Sequence, residues 1–335
     1  MTSPLDRPVI AAPMAGGPST PALVDAAAAA GSFGFLAAGY RTAADLAAQI
    51  RQVTGDFGVN VFAPAPVPVD PAAFRRYAQE LRPEGEPYGI DPAAAEIVEN
   101  DDDWAAKLDL LLTHPVPVVS FTFGLPPGGA IAALRRAGTF VLQTVTSVAE
   151  ARAAAEAGAD GLVVQAAGAG AHSGTFTPHA VPAEVPLPDL VRSVLAALDR
   201  PVVAAGGIGT ADDVRAALAA GARSVMVGTA LLRTDESGAS AVHKTALAER
   251  SAADTVLTRA FSGRPARALR NGFVERHHAS APAGYPAVHH LTTPLRRAAA
   301  AAGDAERVNL WAGTGFRHAA SGPAAAVLRE LARKA

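Results

Sequence analysis

The chain has 335 residues, 50% of them hydrophobic, 18% charged and 5% aromatic, with no cysteine and a formal net charge of −2. Near-neutrality leaves no basic footprint for nucleic acid and no polybasic segment for an anionic membrane, and the lack of thiols excludes disulfides and a thiolate nucleophile. No stretch is apolar for long enough to span a bilayer, and the start lacks the pattern of a signal peptide, so a cytoplasmic protein with a large core is expected.

Short apolar runs alternate with Ala-rich helical patterns, which predicts βαβ units and a mainly parallel sheet. Strands are expected over 8–12, 33–37 and 57–62. Helices follow the first two, over 21–30 with Ser19 or Thr20 as cap, and over 43–53 capped by Thr42. Residues 63–115 break the rhythm. A Pro-rich connector, PAPVPVDP, leads into helical stretches around 72–81 and 93–112, and the acidic run Glu99–Asp103 reads as a solvated face or a cap. This stretch is taken as an extended βα connection, not a domain. The rhythm then resumes, with strands at 117–121, 140–144, 161–165, 201–205 and 224–227, and helices at 129–137, 148–157, 190–198 and 211–220.

Eight strand–helix units closing near Thr229 fit a (β/α)8 barrel better than an open doubly wound sheet. The barrel is expected over residues 1–233. Residues 234–310 show no strand alternation and read as a smaller, mostly helical lobe inserted after the eighth strand. Residues 311–335 then return to the barrel with a loop at 313–315 and a helix at 323–332.

The stretch DGLVVQAAGAGAHSG (160–174) is the focal point. It reads as a buried strand that ends at Gln165 and opens into a Gly/Ala loop presenting one imidazole, His172. Such a side-chain-poor loop lets a flat ligand approach the backbone, and only His172 in it can exchange a proton near neutral pH. AAGGIGTADDV (204–214) and VMVGTAL (225–231) place Gly207, Gly228 and Thr229 at the ends of the last two strands, where barrels commonly cradle phosphate. Neither is a GxGxxG fingerprint, so the phosphate of a mononucleotide such as a flavin is indicated rather than a dinucleotide. Asn60 and Gln165 sit in buried strands, where an unpaired amide is costly. They suit either the polar edge of a flavin ring or neighbouring backbone groups. Met14, in the APMAGG turn, either covers another edge of that ring or packs its sulfur beneath a tight turn. The pairs His277–His278 and His289–His290 lack metal-ligand spacing, and no metal is expected.

Together, AAPMAGG, GVNVF, GLVVQ…GAGAHSG, AAGGIG, VMVGTAL and NLWAGTG resemble the nitronate monooxygenase family, formerly 2-nitropropane dioxygenase, over nearly the whole chain. The resemblance implies an FMN-bound barrel oxidising alkyl nitronates with O2 to a carbonyl compound and nitrite, without metal. It implies that Asn60, Gln165 and Gly170 contact the flavin, that Gly207, Gly228 and Thr229 hold its phosphate, and that His172 is the catalytic histidine, acting as an imidazolium or as a base. The partners expected are a small-molecule nitronate and O2, with a homodimer allowed. One departure stands out: the family commonly has an acidic residue and paired glycines just before the histidine, where this chain has Ala167-Gly168-Ala169-Gly170-Ala171. The alternatives are an FMN-dependent NAD(P)H reductase of a quinone or enoyl thioester on the same scaffold, and a flavin-binding module without turnover.

Overall fold

Eight parallel strands close into a barrel in the computed structural model, which describes residues 4–250, 254–333 and 335. In chain order they are β1 (Val9–Ala11), β2 (Phe33–Ala37), β3 (Phe57–Phe62), β4 (Val118–Thr122), β5 (Phe140–Val145) and β6 (Gly161–Gln165). A two-residue strand, β7 (Ala171–His172), stands apart, and β8 (Val202–Ala205) and β9 (Ser224–Val227) complete the ring, with β9 pairing back onto β1. The strands read as unbroken apolar runs because both faces are covered. Successive residues alternate between two cores: Ile10, Val163 and Val203 fill the barrel, while Val9, Leu162 and Val164 pack outward against helices. Each such buried aliphatic side chain contributes roughly 1.5–3 kcal/mol relative to exposure.

The helices start where the sequence places their caps. The hydroxyls of Thr20, Thr42, Ser147 and Thr210 each accept the backbone N–H three residues on, and Asp213 closes a capping box with Thr210. Ser19 does not cap; its Oγ accepts the Met14 N–H at 2.8 Å and so closes the APMAGG turn.

Residues 93–112 are not one helix. A short 3-10 turn, Pro92–Ala94, gives way to irregular chain, and the helix spans only Trp104–Thr113. Asp102 and Asp103 adopt left-handed backbone angles (φ 59° and 58°), which no helix can contain. Nor is the acidic run merely a solvated face. Glu99 accepts the Val69 N–H, Asp102 the Tyr40 N–H and Asp103 the Ala43 N–H, while buried Lys107 pairs with Asp102 at 2.8 Å. The run ties the long β3–β4 connection to the barrel rim.

After β9 the chain forms helices Ala241–Glu249, Gly272–His277 and Ala287–Ala301, and also an unexpected hairpin of β10 (Thr255–Thr258) and β11 (Ala266–Leu269). The short β11, ARAL, carries no β-branched residue and no alternation, so nothing in it announces a strand. It also pairs with β7, setting Ala266 opposite His172 and Arg267 opposite Ala171. The lobe therefore grips the histidine loop through main-chain bonds. Its core joins Phe261, Phe273, Val288 and Leu291 to Val69, Phe74, Tyr77 and Leu81 from the β3–β4 connection. The last helix, Ala324–Ala332, returns Leu328 and Leu331 to the barrel's outer core.

Candidate active site

At the C-terminal ends of the strands lies a cavity of about 460 Å3. Met14, Asn60, Gln165, Gly170, His172, Gly207, Gly228 and Thr229 all line it, so the eight residues expected to form the site come to one place. Three lining residues that are not glycine, Tyr40, Phe123 and Ala171, have positive φ (65°, 83° and 62°). Backbone held in this region by non-glycine side chains costs of order 1–3 kcal/mol and clusters where geometry is functional.

One side of the cavity is made of main chain. The loops around Gly168–Gly170, Gly206–Gly207 and Gly313–Gly315 pack directly on one another: a Cβ at Gly170 would lie 2.6 Å from the Gly313 nitrogen, and one at Gly207 (φ +77°) 2.8 Å from the Thr314 hydroxyl. Thr229 Oγ1 accepts the Gly313 N–H at 3.0 Å. Among the described residues, the N–H groups of Gly207, Gly228 and Thr229 donate to no protein acceptor. These spare donors at the ends of β8 and β9 fit an anion such as a phosphate.

The two buried amides differ. Asn60 donates through Nδ2 to Ser120 and Thr122 at 2.9–3.2 Å, and no protein donor among the described residues reaches its Oδ1, which leaves an acceptor for a ligand. Gln165 is occupied at both ends: Nε2 donates to the His172 carbonyl (3.3 Å) and Oε1 accepts the Gly174 N–H (2.7 Å). It clamps the base of the histidine loop. Met14 combines both sequence readings, lining the cavity and packing its sulfur beside Gly228.

The lobe side is made of side chains. His172 Nε2 lies 2.8 Å from Ser262 Oγ, which also sits 3.3 Å from the Arg264 carbonyl. When Ser262 donates to that carbonyl, it accepts from Nε2–H and leaves Nδ1 as the basic nitrogen. Phe123, Tyr285 and Trp311 wall the imidazole at ring separations of 5.3–5.8 Å. Burial, reinforced by Arg264 and Arg296, pushes its pKa down to about 3, so it is neutral near pH 7. That disfavours the imidazolium role. Two cations, Arg264 and Arg296, thus act on this imidazole.

Neither Arg264 nor Arg296 forms an ion pair among the described residues. Arg264 is fully buried, stacked 4.0 Å over Phe123, and bonds to the carbonyls of Ser173 and Thr175. Burial lowers both guanidinium pKa values to about 10. Arg296 lines the cavity, and no Asp or Glu among the described residues does. Burial also raises Tyr40 to about 12; its hydroxyl accepts from Tyr285 at 3.4 Å, which leaves its own O–H to donate. His289, one of the pairs without metal-ligand spacing, stacks on Tyr40 at 4.1 Å and faces the cavity. His277 sits instead between Glu80 and Glu84, away from the cavity lining. Among the described residues, no cluster of three or more His, Cys, Asp or Glu could hold a metal. No helix among them is long and apolar enough to cross a membrane.

Tyr40, Ser262, Arg264, Tyr285, His289 and Arg296 are thus site residues that sequence reasoning did not identify. Ser262 and Arg264 lie in a stretch read only as part of the helical lobe, and His289 was weighed only as half of a pair without metal-ligand spacing.

Comparison with known proteins agrees with this geometry. The family model described as nitronate monooxygenase matches residues 2–334. A probable nitronate monooxygenase of Bacillus subtilis is 36% identical, covering 93% of this chain and 91% of its own, and one from Staphylococcus aureus is 34% identical over 98% and 94%. The crystal structure of a nitroalkane oxidase from Streptomyces ansochromogenes superposes with a TM-score of 0.92 at 48% identity, covering 98% of this chain and 95% of that one. FabK from Thermotoga maritima is more distant, with a TM-score of 0.74 at 27% identity over 98% and 92%. By its sequence and its fold, the chain belongs to the nitronate monooxygenase family.

Proposed function

We propose that this chain is an FMN-dependent enzyme that oxidises alkyl nitronates with dioxygen to a carbonyl compound and nitrite, and that it accepts neutral nitroalkanes by first removing their α-proton. The observation that carries the reading is a neutral, serine-oriented imidazole beside a cavity that cationic side chains, and no carboxylate among the described residues, line. A nitronate is an anion, and a desolvated positive field favours it over neutral competitors.

The site residues suit a mononucleotide flavin. The N–H groups of Gly207, Gly228 and Thr229 would hold its phosphate, Asn60 Oδ1 would accept from a ring N–H, and the Gly170 loop and Met14 would leave room for a flat ring. When bound, the flavin supplies the electron acceptor and the reaction with oxygen. The protein does the rest. His172 Nδ1 takes the α-proton of a neutral nitroalkane, Ser262 holds the tautomer that makes this possible, and Gln165 fixes the loop that aims the ring. Arg264 and Arg296 favour the negative charge that develops on the nitro oxygens, and burial, reinforced by their field, keeps His172 neutral.

Anaerobic mixing of the FMN-loaded protein with ethylnitronate tests this reading. Bleaching of the flavin, with nitrite released in air, is the expected result. Rapid bleaching by NADPH with nitronates inert would move the assignment to the reductase alternative, whose structural neighbour, FabK, is the more distant one.

A further inference from the structure

We infer that Arg296 and Asn309 together form the receptor for the anionic oxygens of the substrate. This rests on the reading above that the cavity accepts a nitronate, and it assigns a purpose to the late NLWAGTG stretch, which neither the barrel nor the histidine explains.

Helix Ala287–Ala301 presents His289, Thr293, Arg296, Arg297 and Ala300 to the cavity. Their spacing of 0, 4, 7, 8 and 11 residues is one helical face, and Val288, Leu291, Leu295 and Ala299 bury the other. Arg296 is therefore carried by an element anchored in the lobe core, not by a loop. Its guanidinium is held in place: Nε donates to Thr292 Oγ1 (3.0 Å), Nη2 to Thr293 Oγ1 (2.8 Å) and the His289 carbonyl (3.1 Å), and Nη1 to Asn309 Oδ1 (3.1 Å). His289 Nδ1 also lies 3.3 Å from Nη2, and none of these acceptors is a carboxylate. A guanidinium has five N–H bonds, so one on Nη1 is left over.

Asn309 adds the second prong. Arginine can only donate, so the amide oxygen of Asn309 must face Arg296 and its NH2 must point the other way. No protein acceptor for that NH2 exists among the described residues, although Asn309 lines the cavity beside Arg296. Two neighbouring side chains thus offer spare N–H donors into a space that no carboxylate among the described residues lines, and one of them carries a half-buried positive charge with no ion-pair partner there. A partly buried cation without a partner is costly, and an incoming anion removes that cost. A planar O–N–O edge can accept from both donors at once, in the manner of other charge-assisted two-point contacts.

The probe is nitrate, an inert planar monoanion with the same O–N–O edge. Its binding to the FMN-loaded protein is followed by calorimetry, alongside KM and kcat for ethylnitronate and the dissociation constant of FMN. Arg296→Met is expected to weaken nitrate binding by about tenfold or more and Asn309→Leu by about threefold, with Arg296→Lys recovering most of the loss. The KM for ethylnitronate should rise in parallel, by a larger factor than kcat falls, with FMN affinity held within about twofold. Nitrate binding that is absent from the wild-type protein, or unchanged in Arg296→Met, overturns the receptor. So does a loss of FMN affinity in Arg296→Met and Asn309→Leu that matches the loss of nitrate, because the pair would then serve the cofactor. Nitronate turnover with Arg296-independent nitrate binding refutes the receptor and leaves the reaction standing. Arg296-dependent nitrate binding without nitrite from any nitronate does the reverse.

Discussion

The two sides of the cavity solve the problem of binding negative charge in opposite ways. At the ends of β8 and β9 the donors are main-chain N–H groups on loops so tightly packed that glycine is required. On the lobe side the charge resides in two arginines, Arg264 buried and Arg296 half-buried, with no ion-pair partner among the described residues, beside aromatic rings and a neutral histidine. Main-chain donors carry no net charge and cost little to bury, so they suit a permanent group. Buried guanidinium charge is expensive and shifts the pKa of its neighbours, so it suits a site where charge develops and leaves.

Substitutions should separate the two sides. The largest effect is expected at His172. His172→Asn should lower turnover of neutral nitroethane by roughly 10^2–10^4-fold, the usual size of a lost general base, and lower that of ethylnitronate far less. FMN should stay bound in this variant. Equal losses for both substrates in steady-state assays would remove proton abstraction from the role of His172.

Gly170→Val strikes the other side. The new side chain meets Gly313, Ala312 and Thr229 within 3 Å, so the packed loops must part. The expected cost is about 1–3 kcal/mol of stability and about a tenfold weaker FMN dissociation constant, read by flavin fluorescence on dilution. Unaltered FMN affinity would mean that the glycine loops do not shape the cofactor site.

Ser262→Ala should have a smaller, selective effect. Freed from its Nε2 partner, His172 loses its fixed tautomer, and nitroethane turnover should drop by about tenfold while ethylnitronate turnover holds closer to wild type. A uniform loss with both substrates would make Ser262 a packing residue only.

The smallest effect is on stability. His172 and His243 are held near pKa values of about 3 and about 4, against 6.5 in the unfolded chain. Between those limits the unfolded state binds more protons, so stability falls as pH drops below 6.5. Melting temperature should be level from pH 7 to 8 and decline from 6.5 toward 5. A flat profile down to pH 5 would contradict the burial of these rings.

The same contrast explains what the sequence disclosed. A parallel barrel repeats one motif of a short apolar strand and a helical return, so Phe57–Phe62, Gly161–Gln165 and Ser224–Val227 were legible to the residue. The glycine side was legible too, because backbone geometry forces a residue type. The lobe side was not. Tyr40, Ser262, Arg264, Tyr285, Arg296 and Asn309 come from separate stretches, and an arginine on a helix gives no hint that it will line a cavity without an acid. The hairpin of β10 and β11 escaped for a related reason: Ala266–Leu269 is a strand because β7 and Thr255–Thr258 flank it, not because of its own residues. Gln165 taught a smaller lesson, since its amide secures the histidine loop while its side chain still lines the cavity.

The account turns on His172 being an unprotonated base in a cation-flanked cavity, and the pH dependence of kcat/KM for neutral nitroethane measures that state most directly. The prediction is a level profile as pH is lowered from 7.5 to 5, because the imidazole has no proton to gain in that range. A fall that follows a single ionisation near 6.5, and that disappears in His172→Asn, would show an ordinary solvated histidine and contradict the account.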